Sequence, residues 1–97
     1  TIEKTYELSR EGLSIKEMAK SRNLTTSTIT GHLESLIKDG RDVVMDSLIE
    51  PTKRNTIEEM FLTLKTWHTG SIVEHSKGTV SYDDAKLVRA YIQRKKT

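Results

Sequence analysis

The sequence predicts an all-α fold: a trihelical helix-turn-helix unit, winged-helix-like but with its wing absent or vestigial, extended by two to three further helices. Three observations predict it. The stretch from Ser14 to Leu36, SIKEMAKSRNLTTSTITGHLESL, reads as two short helices joined by a tight turn. Apolar residues recur at helical spacing through most of the rest. After Gly40 only Val43-Val44-Met45 reads as extended, with no turn signal for the hairpin that a wing requires.

Residues 2–11 read as a first helix with Ile2, Tyr6 and Ser9 inward, closed by Gly12. Ser14 and Glu17 form a capping box, in which the hydroxyl accepts an orphan amide and the carboxylate reaches back. Ile15, Met18 and Ala19 share one face of the second helix, and Ala19 suits a close helix crossing. Asn23 falls where the chain must leave that helix, and Asn tolerates the left-handed conformation. Leu24 returns the chain to the core, and Thr25 or Thr26 caps a third helix whose apolar set is Ile29, Leu33, Leu36 and Ile37. Gly40 ends it. The spacing from Ala19 through Asn23, Leu24, Ile29 and Leu33 separates this unit from an arbitrary pair of amphipathic helices.

Asp46 is expected to cap one turn, Ser47 to Ile49, broken at Glu50-Pro51. A long helix follows from near Pro51 or Thr56, with Ile57, Met60, Phe61, Leu64 and Trp67 as its core stripe. Thr69-Gly70 is expected to end it. Ser71 to Ser76 reads as a short helix or turn and Lys77-Gly78 as a loop. Ser81 with Asp84 caps a last helix, with Ala85, Val88, Tyr91 and Ile92 inward. The expected organisation is one domain over residues 1–97: a trihelical unit, 1–42, and a helical extension, 43–97, packed on it.

The chain has 97 residues, a 34% hydrophobic fraction, one Trp, three Tyr and one Phe. Its core is expected to be small and aliphatic. No cysteine is present, so there is neither a disulfide framework nor a thiolate metal site, which fits a reducing compartment. No apolar run approaches membrane-spanning length. The expected location is cytoplasmic. The chain opens on Thr1 rather than Met and is expected to be part of something larger. Net charge is +2, unevenly spread. Residues 1–42 carry seven basic and seven acidic side chains, whereas Lys86, Arg89, Arg94, Lys95 and Lys96 follow Ala85 with no acid among them.

The run TYELSREGLSIKEMAKSRNLTTSTITGHL resembles the helix-turn-helix at the C-terminus of RecQ-type helicases. Gly12, Ser14, Ile15, Glu17 and Ala19 match that family's G-x-S-I-x-E-I-A, with Met18 for the usual Ile. Leu24, Thr28, Ile29, His32 and Leu33 match its L-x-x-x-T-I-x-x-H-L. Asp46 and Leu48 resemble a following D-x-L, and Val80-Ser81-Tyr82 with Leu87-Val88-Arg89-Ala90 resembles the last helix. LuxR-type domains share the T-I/V-x-x-H-L but end soon after it. The resemblance implies a non-catalytic accessory domain of an ATP-dependent DNA helicase, serving repair and recombination. Its partners would be DNA and the helicase core of the same chain.

The residues themselves qualify that reading. From Thr25 to Ile37 there is no Lys or Arg, so the bidentate guanine reader is missing, as are Asn and Gln for adenine. Candidate phosphate contacts are the hydroxyls of Thr25, Ser27, Thr28 and Thr30, the second-helix cations Lys16, Lys20 and Arg22, and the C-terminal Arg89, Arg94, Lys95 and Lys96. Against them stand plain capping, a solvated face and a cationic end that complements a helix dipole. Gly31 within the third helix implies a close approach, with another helix of the domain favoured over nucleic acid. Tyr82 near Lys86 is the one candidate for base stacking. His32, His68 and His75 lack the spacing of a metal site, and His68 is expected to complement a helix C-terminus. Asp83-Asp84 and Glu58-Glu59 fall in first turns, where acids favour the dipole. With no phosphate-binding loop or nucleophile arrangement, the domain is expected to be non-enzymatic. No cofactor, small-molecule substrate or membrane is expected. A docking module that kept the fold but lost the DNA face, and a transcription regulator, are the alternatives.

Overall fold

The computed structural model describes residues 2–95. It contains α1 (Ile2–Arg10), α2 (Ile15–Arg22), α3 (Thr26–Lys38), a 3-10 turn (Met45–Ser47), α4 (Pro51–Leu64), α5 (Thr69–His75) and α6 (Tyr82–Lys95). No strand occurs among the described residues, at Val43–Met45 or elsewhere. Val43 and Met45 instead drop into the core. With no second strand among the described residues to pair with it, this extended segment cannot form a wing.

The helix-turn-helix is built by local chemistry. The Glu17 amide donates to Ser14 Oγ (3.2 Å) and the Ser14 amide to Glu17 Oε1 (2.8 Å). Those bonds hold the Glu17 carboxyl below the usual carboxylate range. Asn23 takes φ 54°, ψ 44°, and the Leu24 amide then reaches back to the Ala19 carbonyl at 2.9 Å. Thr25 Oγ1 accepts the Thr28 amide at 3.1 Å and so caps α3. At the far end Gly40, at φ +80°, lets its own amide reach Ile37 and the Arg41 amide reach Leu36.

α3 is the central element. It packs against α1, α2 and, most extensively, α6, and α6 also receives α4 and α5. A single hydrophobic cluster runs from Leu8 to Ile92, including Met18, Ile29, Leu33, Phe61, Leu87 and Val88. Ion pairs staple its rim. Arg41 binds Glu3 through two bonds and lies 4.2 Å over the Tyr6 ring. Lys53 pairs with Asp84, and Arg54 with Asp46.

Several expectations are corrected. In α1 the inward residues are Thr5, Leu8 and Ser9, whereas Ile2 is exposed and Tyr6 half-buried. The turn after Val44 begins one residue before Asp46, with no side-chain cap. α4 starts on Pro51 at its first position, where the missing amide costs nothing. It stops at Leu64, well short of Thr69-Gly70, because Lys65 turns left-handed at φ 51°. Trp67 therefore leaves the helix. It doubles back to meet Phe61 at 5.7 Å between ring centroids, yet stays 38% exposed. Thr69 and Gly70 open α5. A Cβ on Gly70 would come within 2.8 Å of the His68 ring. That ring folds over the start of α5 so that Nδ1 accepts the Ser71 amide at 3.3 Å. His68 is thus an N-cap, not a partner for a helix C-terminus. Ser81 caps α6 as its sequence implies, accepting the Asp84 amide at 3.1 Å.

Candidate nucleic-acid interface

α2 and the first turn of α3 form the face that a helix-turn-helix offers to a phosphate backbone. Lys16 and Lys20 lie one turn apart on α2, both exposed and outside every ion pair of the described residues. Lys16 shares a groove with Ser14, Thr26 and Leu48. Thr25, Thr26, Ser27 and Thr28 are all exposed. The Thr25 cap takes the Thr28 amide, and the two hydroxyls bond each other at 2.9 Å. The amides of Thr26 and Ser27, ahead of that capped bond, have no acceptor within the helix and lie at its positive end. Lys16 and the hydroxyl-rich start of α3 thus come together where α2 meets α3, a suitable cradle for phosphate oxygens, with Lys20 one turn further along α2.

Other sequence candidates sit elsewhere. Thr30 is corrected outright: at 1% exposure it faces inward, its hydroxyl without a hydrogen-bond partner, and it cannot touch DNA. Arg22 is engaged internally, donating to Thr5 Oγ1 at 2.6 Å. Thr5 Oγ1 also lies 2.9 Å from His32 Nδ1, so α1, α2 and α3 meet at one buried hydroxyl. Burial, and then the Arg22 charge, hold the His32 imidazole below its usual range. Arg89 donates to the Trp67 carbonyl at 3.1 Å and to Glu34 at 3.4 Å, tying α6 to the α4–α5 connection and to α3. It is a brace, not a free cation. Arg94 is half-buried and has interactions of its own. Lys96 and the side chain of Lys95 lie outside the described residues. Of the C-terminal basic cluster, Arg89 is thus committed away from the α2–α3 face.

Gly31 is also corrected. No atom lies within 4 Å of where its Cβ would stand, so no helix of the domain requires it. With Ser27, Ser35 and Lys38 it forms the exposed edge of α3. Sequence reasoning missed Asp83 and Asp84 as neighbours of this interface. They line the groove holding Lys16 and Thr26, and Asp84 is partly neutralised by Lys53 at 2.9 Å. No local signal brings α6 to the start of α3; only the packing does. The acids limit phosphate approach through that groove, which Lys16 also lines and Lys20 does not.

No helix among the described residues is long and apolar enough to cross a membrane. A protein-family model described as a helix-turn-helix domain matches residues 1–89. No curated protein and no solved structure matches the chain.

Proposed function

The chain belongs to that helix-turn-helix domain family, and from this premise we propose that it is a non-catalytic DNA-contacting module that grips backbone rather than reading bases. The observation that carries the reading is the pair Lys16 and Lys20, exposed and unpaired beside the hydroxyl-rich start of α3. Phosphate contacts of this kind position a protein on DNA without reading sequence. The exposed edge of α3 offers Ser27, Thr28, Gly31, Ser35 and Lys38, a poor set for base discrimination. The resemblance at Gly12, Ser14, Ile15, Glu17, Thr28, Ile29, His32 and Leu33 supports placing the module in a RecQ-like helicase, where the motor supplies catalysis and the helicase core is its neighbour.

A salt titration with duplex, single-stranded and forked DNA tests this. The expected dissociation constant is on the order of 10⁻⁴–10⁻⁶ M, rising with salt and similar across sequences. Lys16→Ala with Lys20→Ala lowers the salt slope by about two, since each lysine neutralises one phosphate. Tight, salt-insensitive binding to one sequence would favour a transcription regulator. No binding at all would leave the docking-module reading.

A further inference from the structure

Three of the large hydrophobic side chains left exposed among the described residues fall within one short stretch: Leu62 (56%), Leu64 (36%) and Trp67 (38%). They sit where α4 ends and the chain turns into α5. Two open clefts meet there and share Thr66. One, of about 570 Å³, is lined by Leu64, Thr66, Ser71, Glu74, His75 and Lys77. The other, of about 250 Å³, is lined by Phe61, Leu62, Lys65, Thr66 and Trp67. Glu74 is the one acid in either lining, against Lys65 and Lys77.

Those two lysines are held in an unusual way. Lys65 has φ +51° and Lys77 φ +57°. Each follows the end of a helix, α4 or α5, at a left-handed position that Gly or Asn ordinarily fills. A side chain there carries strain that Gly would relieve. The fold alone thus favours Gly at both sites, yet both carry a cation, and both cations border the same pair of clefts. Apolar surface rimmed by positive charge complements a ligand of the opposite pattern.

We propose that the α4–α5 corner is a docking site for an acidic amphipathic segment of another protein. Its apolar side chains cover Leu62, Leu64 and Trp67, and its carboxylates meet Lys65 and Lys77. The site shares no residue with the α2–α3 face, so it stands whether or not that face binds DNA.

Trp67 is the only tryptophan of the chain, so its emission reports occupancy. The probe is a short synthetic helix-forming peptide with Leu and Phe on one face and Glu on the other. The expected result is a saturable blue shift. Lys65→Gly with Lys77→Gly weakens binding about five- to tenfold, as for two rim charges, while the melting temperature does not fall. Leu62→Ser also weakens binding, and Lys16→Ala with Lys20→Ala leaves it unchanged. The proposal is overturned if the peptide causes no shift up to millimolar concentration, or if a version with Lys for Glu binds equally. It is overturned too if the glycine pair binds like wild type or melts lower. A Trp67 shift produced by duplex DNA and abolished in the glycine pair would reassign the corner to nucleic acid.

Discussion

Single side chains decide more here than their types announce. Thr5, at the contact of three helices, serves Arg22 and His32 at once. Its oxygen accepts from Arg22, and His32 Nδ1 lies 2.9 Å from the same atom, with the imidazole tautomer setting which of the two donates. The folded pKa of His32 is lowered by burial and then by Arg22, so the unfolded chain takes up a proton first. The stability due to neutral His32 is complete above pH of about 6.5, the unfolded value, and is lost as pH falls through the lower folded value. Urea midpoints across that interval should fall for wild type, and His32→Gln should flatten this part of the curve. Parallel curves would refute the assignment. Thr30 offers the opposite case, a buried hydroxyl with no partner. Thr30→Val should raise stability by about 1 kcal/mol, because the cost of burying an unsatisfied hydroxyl disappears. Denaturant unfolding reads that gain. Neither role is legible in the sequence, where a helical Thr looks like a solvated or capping residue. Lys16 and Lys20 are legible, since cations one turn apart opposite an apolar face must point outward.

Among the elements, α2 and α3 are the most legible, because their boundaries are written in side chains. Ser14, Glu17, Asn23 and Thr25 each have one good use at their position, and each is found in it. Ser14→Ala should cost about 1 kcal/mol, since it removes one half of a reciprocal cap. A smaller loss than for Thr25→Ala would show that the box is weaker than a single cap. The division between α4 and α5 is illegible for the converse reason. Lys65 carries no helix-stop signature, and Trp67 keeps the helical period although the helix has ended. Its apolar contact with Phe61 is made by a chain that has turned back, and periodicity cannot distinguish that from one more turn. Gly70 signals a helix end by type, but here it accommodates the His68 ring. Gly31 occupies open space within α3, so Gly31→Ala should stabilise the domain by about 1 kcal/mol, as in an exposed helix interior. A thermal melt measures it. Weakened DNA binding by the same variant would show that backbone approach at α3 matters.

For the whole molecule, the decisive arrangement is the packing of α3 among α1, α2 and α6. Residues 1–42 alone would lose the α6 cover over α3, and that fragment should lack a cooperative thermal transition. A cooperative melt of the fragment would show that the extension is dispensable for folding. The same packing brings Asp83 beside Lys16 and Thr26. Asp83→Asn should therefore strengthen DNA binding a few-fold at low salt, and the gain should shrink as salt screens it. An all-helical outline and a wingless connection could be inferred from the sequence, but the approach of α6 to α3 rests on packing between residues distant in the chain. That packing also limits how the module can be re-targeted. A library that randomised all of α3 would include Ile29, Thr30, Leu33, Leu36 and Ile37, five of its thirteen positions, which are buried and where most changes would fail by misfolding. New recognition is reached more readily by varying the outer positions of α2 and the corner after α4, where a changed side chain meets solvent. In this domain the helix usually treated as the reading head is the keel, and the adaptable alphabet is carried on its flanks.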